Sequence, residues 1–190
     1  MTQFEFIFIP YSLILGLSMI ALLSGIGKTI KTRLRLDEGQ VGQPIGVLTP
    51  LLGLFVMLDL LSFWYAGWVL KDLLSVSTLT LLGVTVFASC YYLASYMVFP
   101  DNINEKTDLN QHYFRVRRIV MGLLLVLTFS QLAFYATQPE IAPRLLEPLS
   151  IIVTVILLAL MIASMIFSSV KMNIAILAAL ILRYVVIYML

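Results

Sequence analysis

Residues 45–70 read IGVLTPLLGLFVMLDLLSFWYAGWVL, and this stretch decides the fold. It holds one acidic or basic side chain of the Asp/Glu/Lys/Arg type, Asp59, and is closed by Lys71 and Asp72. A helix rises about 1.5 Å per residue and the hydrocarbon core of a bilayer is roughly 30 Å thick, so about 20 apolar residues are enough to cross. The stretch is therefore long enough to span a membrane. Its closing aromatics, Trp64, Tyr65 and Trp68, are the residue types that collect at a membrane interface.

Runs of the same kind lie on both sides of it. Together they predict spans over about 6–26, 45–70, 73–99, 113–137, 149–168 and 172–190. Composition agrees, since 61% of the 190 residues are hydrophobic and 12% charged, with a mean hydropathy of +1.02. A soluble domain carries about a quarter charged residues. The fold class is all-α: a polytopic integral membrane protein, with residues 1–190 forming one bundle of six transmembrane helices. Glu5 precedes a long apolar run and the basic residues come only after it, which is unlike a cleavable signal. The first run is expected to be a retained helix.

Several function classes drop out. The connections are too short to fold as separate domains, and no GxxxxGKS/T phosphate loop is present, which argues against nucleotide-driven pumping by this chain alone. One cysteine, Cys90, and one histidine, His112, exclude an intrachain disulfide, a bis-histidine haem within one chain and a Cys/His zinc site. Cys90 reads as a small packing residue inside the third span. No metal, cofactor or nucleic-acid partner is expected, and no nucleophile–base motif points to an enzyme.

Orientation follows from the basic residues. The connections after spans one, three and five carry Lys28, Lys31, Arg33, Arg35, Lys106, Arg115, Arg117, Arg118 and Lys171, nine in all; the opposite side carries Lys71, Arg144 and Arg183. This asymmetry predicts a basic cytoplasmic face and both termini outside. Lys28, Lys31, Arg33, Arg35, Arg115, Arg117 and Arg118 are expected to set topology and to bind anionic lipid headgroups. A voltage sensor is excluded, because the series Arg115, Arg118 continues as Met121 and Leu124. Asp108 with Gln111 forms a capping pattern for the fourth helix. His112, one turn beyond Asp108, is a candidate pH switch, although an ordinary interfacial histidine is the commoner reading.

The polar groups at membrane depth point towards function. An ionised carboxylate there costs about 2.5–3.5 kcal/mol on insertion scales, so Asp59 must be protonated, paired or wet. Asp59 lies ~3 Å to the outer side of its span centre and Arg183 ~4 Å to the same side of the sixth. Matching depth predicts an Asp59–Arg183 pair, serving either as a gate or ion-coupling site or as a packing contact. Thr78, Thr85, Ser89, Tyr92 and Tyr96 form a polar stripe on the third span; Thr128, Gln131 and Tyr135 form another on the fourth. The two stripes could face each other, lining a path or hydrogen-bonding across an interface. Small residues four apart, such as Ser12 and Gly16 or Ala159 and Ala163, permit close helix approach without identifying a contact.

The expected function is a small channel or secondary transporter for an ion or small solute, with its polar path near Asp59 and Arg183. The alternative is a non-catalytic sensor, signalling or assembly subunit that binds a partner through its charged cytoplasmic loops. Either role fits a bacterial inner membrane and allows a homo-oligomer.

Overall fold

The computed structural model describes residues 3–37, 46–71, 73, 77–103 and 107–189, apart from the side chains of Gln3 and of 35–37. Seven helices follow in chain order: α1 Gln3–Asp37, α2 Leu48–Val69, α3 Thr78–Val98, α4 Leu109–Ala136, α5 Ala142–Leu145, α6 Pro148–Ile166 and α7 Val170–Met189. There is no strand among the described residues. All but the four-residue α5 are long and apolar enough to cross a membrane.

The ends of the helices follow local chemistry. At α3 the hydroxyl of Ser77 accepts from the Thr80 N–H at 3.0 Å, so the helix starts at Thr78 and not at Leu73 as the hydropathy suggested. Asp108 caps α4, accepting from the Asn110 and Gln111 N–H groups at 2.8 and 3.2 Å. The cap fixes a start at Leu109, four residues ahead of the predicted span, which draws His112 into the helix. The N-terminus of α2 has no cap of its own. Instead the Asn110 side chain accepts from the Leu48 N–H at 3.1 Å, and Thr49 donates to the Leu109 carbonyl at 2.7 Å. The starts of α2 and α4 are thus laced together.

Helix α1 is longer than a membrane crossing needs. The apolar part of α1, Phe4–Leu34, is 31 residues long, or about 46 Å. Lys28, Lys31 and Arg33 therefore continue along a helix and are not in the loop that the sequence suggested. Pro10 removes one rung of α1 without ending it, as membrane helices tolerate. The α5 turn, absent from the sequence reading, begins with Ala142 and Pro143 ahead of the Pro148 start of α6.

Helix α2 is the hub. It packs on α1, α3, α4 and α7. Half of its span is buried (50%), against 17–28% for the others. Leu52, Phe55, Val56 and Leu60 meet Tyr91, Tyr113, Met121, Leu124 and Leu180 in the core. The outward faces carry large exposed apolar residues, among them Leu13, Leu79, Val126, Ile152 and Leu182, the surface expected to face lipid.

Two glycines allow the basic end of the bundle to close. Just past α3, Phe99 is 8% exposed, and its ring lies where a Cβ on Gly25 of α1 or on Gly53 of α2 would stand. A Cβ at Gly53 would come within 2.7 Å of the ring. Gly53→Val is expected to lower stability by about 1–3 kcal/mol through overpacking, read as a lower thermal midpoint in detergent. An unchanged midpoint would contradict this seat.

Candidate functional site: a carboxylate between two tyrosines

The one acidic side chain in the core is Asp59 among the described residues, on the hub helix at 2% exposure. Its partners come from two other helices. The Tyr91 hydroxyl of α3 donates to Oδ2 at 2.6 Å, and the Tyr184 hydroxyl of α7 donates to Oδ1. The Tyr91 oxygen also lies 3.3 Å from the Val56 carbonyl. Beside them, Tyr188 donates to the Leu58 carbonyl at 2.9 Å. A single carboxyl group therefore ties α2, α3 and α7 together. Rings support the tyrosines: Phe63 is 5.3 Å from Tyr91, and Phe55 is 6.1 Å from Tyr184.

The predicted Asp59–Arg183 ion pair does not form. Arg183 turns towards α6, where its Nε donates to the Val153 carbonyl at 3.1 Å. Its guanidinium lies 5.0 Å from the Tyr184 ring, and one buried nitrogen, Nη1, has no partner among the described residues. It remains within electrostatic range of Asp59. Depth matching placed the two groups in one neighbourhood, but the intervening tyrosine hydroxyl takes the carboxylate. The hydroxyl makes a hydrogen bond without bringing a second charge out of water.

The stripe on α3 is likewise corrected. Its buried face is Ala88, Tyr91, Ala94, Ser95 and Val98. Thr85, Ser89 and Tyr92 are only half-buried, and Tyr96 is exposed, donating to Asp101 at 3.1 Å. Thr85 bonds back to the Leu81 carbonyl at 2.8 Å. On α4, Gln131 donates to Tyr135 of its own helix at 2.8 Å and to nothing on the α3 stripe. Tyr91 and Tyr184 were missed by one residue each, beside Tyr92 and Arg183. The signal for Tyr91 was the run of small residues at helical spacing around it, which lets backbones approach closely.

At the opposite end a second polar cluster forms around Arg117. This residue is 3% exposed, so it is not available to lipid headgroups as the sequence suggested. One guanidinium nitrogen, Nη1, donates to the Ser164 carbonyl at 2.6 Å, to the Phe167 carbonyl, and to Asn173 Oδ1 at 3.3 Å. Fully buried Asn173 donates to the Phe167 and Ser169 carbonyls at 2.7 and 2.9 Å and accepts from Tyr113 at 2.7 Å. The cation thus sits at the C-terminus of α6, where unpaired carbonyls concentrate negative charge. Arg118 adds a 3.4 Å bond from Nε to the Met165 carbonyl.

Apart from Arg118, the remaining predicted residues fall outside both clusters. Lys28, Lys31, Arg33 and Arg115 are exposed, as is Arg118; Arg35 belongs to α1, but its side chain lies outside the described residues, as does all of Lys106. His112 is half-buried beside the Met97 and Val98 carbonyls, with Nε2 unpartnered. Cys90 is a free, partly buried thiol packed against the core. No group of three metal-ligating side chains occurs among the described residues. No family model, no curated protein and no solved structure matches this chain.

Proposed function

We propose that this membrane protein is a small secondary transporter, with Asp59, Tyr91 and Tyr184 as a proton-coupling site for the movement of an ion or small solute. The observation that carries the reading is the buried carboxyl group bridged to two different helices by hydroxyl donors. An ionised carboxyl accepts from both tyrosines. Protonated on Oδ2, it becomes a donor, and Tyr91 must turn its own hydrogen elsewhere. The Val56 carbonyl at 3.3 Å is in place to receive it. Gain or loss of one proton thereby rewrites the contact between α2 and α3, while the bond from Tyr184 can persist. Such a change at a three-helix junction is a means of coupling protonation to helix movement. The near-complete burial of Asp59 favours a carrier that alternates between closed states over an open channel.

The basic face supports a placement in the bilayer. Exposed Lys28, Lys31, Arg33, Arg115, Arg118 and Lys171 would meet anionic headgroups on the cytoplasmic side, with both termini outside, as in a bacterial inner membrane. A second reading, a non-catalytic membrane subunit, is favoured by the hydrogen bonds that satisfy both Asp59 oxygens, since such a contact can also serve only to lock the helices.

Flux into liposomes holding the purified protein separates the two. With small cations, anions and protons offered in turn, the wild type is expected to exceed empty liposomes for at least one. Asp59→Asn is expected to fall at least 100-fold on that solute while keeping its helical content. Flux equal to empty liposomes for every solute would support the second reading.

A further inference from the structure

Helices α1–α4 line a half-open cavity of about 590 Å³ near the end of the bundle where α1 begins. Its lining comes from the first turns of α1 and α3 and the last turns of α2 and α4, together with residues just beyond those ends, so it occupies one leaflet's depth. Phe4, Phe8, Phe63, Phe87 and Phe134 supply much of the wall. Thr80, Gln131 and Gln138 supply polar groups, and no charged side chain lines it among the described residues. Gln131 uses one amide hydrogen on Tyr135, and among the described residues its second N–H and its carbonyl oxygen have no partner.

We propose that this cavity is a binding site for a neutral amphiphile, a molecule with a hydrocarbon body and an uncharged hydrogen-bonding end. The volume falls within the range of small-molecule sites. A charged headgroup would find no counter-ion on these walls, and leaving it unpaired there is costly. Apolar burial alone gives little selectivity, because the bilayer is already as apolar as the wall. Selection comes from the aromatic contacts and from the remaining amide groups of Gln131, which accept from a hydroxyl or donate to a carbonyl. The site is independent of the transport reading, because none of its lining residues touches the Asp59 carboxyl group directly.

The test uses a monoacylglycerol bearing a diazirine in its chain, photolysed with the full chain in lipid vesicles, and maps the labelled residues by mass spectrometry. Saturable labelling is expected on residues 79–87 and 130–138, falling at least ten-fold with excess unlabelled monoacylglycerol. Gly83 lines the cavity and has open space where a Cβ would stand, so Gly83→Trp fills the site and is expected to cut labelling about ten-fold. Gly122→Trp has open space too but lies outside the lining, and is expected to label like the wild type. Gln131→Leu is expected to weaken competition about five-fold through loss of a hydrogen bond, which tests the site even if the tryptophan variant does not fold. The proposal is overturned if these segments label no more than the outward face at 151–156. It is also overturned by equal labelling from a phosphatidic acid with the same chain, or by unchanged behaviour of the Gly83 and Gln131 variants.

Discussion

Arg117→Met is expected to lower the unfolding free energy by about 3 kcal/mol, the largest loss of stability from any single side chain in this fold. The variant keeps the apolar stem and removes a charge-assisted donor from the Ser164 and Phe167 carbonyls. Hydrogen bonds to charged groups contribute about 1.5–3 kcal/mol each, and a buried acceptor left unsatisfied costs about 1–3 kcal/mol. Shared geometry and membrane reference states reduce the sum, since contacts between membrane helices average well below 1 kcal/mol. Asn173 still holds the Phe167 and Ser169 carbonyls, so the α6–α7 link should loosen without unfolding outright. Unfolding in mixed detergent micelles reads the loss. Arg118→Met serves as the comparison, because its exposed 3.4 Å bond is expected to contribute under 1 kcal/mol. Equal effects from the two substitutions would contradict the buried-cap assignment.

Removing both tyrosine hydroxyls is expected to have the largest effect on transport. In Tyr91→Phe with Tyr184→Phe, Asp59 keeps its burial and loses both direct donors. Flux should fall to the level of empty liposomes, with a stability loss of about 2–4 kcal/mol from the unsatisfied carboxyl group. The single variants should differ from each other. Tyr91→Phe removes the hydroxyl that has an alternative acceptor in Val56, and should slow coupled flux about ten-fold. Tyr184→Phe removes a hydroxyl that only donates, and should affect stability more than coupling. The two substitutions share one partner and should not add, with an interaction energy of about 0.5–3 kcal/mol. Additive losses would mean that the tyrosines act separately.

Much of the fold was legible because membrane spans are written in composition. Six apolar runs became six helices, and the Asp108 cap lay in plain view. The errors fell where geometry depends on which face of a helix is buried. On α3 both faces carry hydroxyl-bearing residues, so polarity alone favoured Tyr92 and passed over Tyr91. The small residues Ala88, Ala94 and Ser95 mark the packed side better than hydroxyls do, because close approach needs small side chains. Arg183 reached the right depth, but rotation about the helix axis aimed it at α6. Arg117 was hidden among three clustered arginines. Periodicity puts it on the buried face with Tyr113, Val120 and Leu124, while Arg115 and Arg118 point outward. A sum of basic residues bears on orientation and is silent about which of them is a structural cap.

In the proposed mechanism Asp59 exchanges a proton while Tyr91 turns its hydroxyl towards the Val56 carbonyl. Infrared difference spectroscopy, comparing acidic and alkaline samples of the folded protein in lipid, tests it most directly. The account predicts a carboxyl stretching band that disappears in Asp59→Asn and moves in Tyr91→Phe. A difference spectrum identical in the wild type and Asp59→Asn would contradict it, leaving Asp59 as a fixed tie between helices.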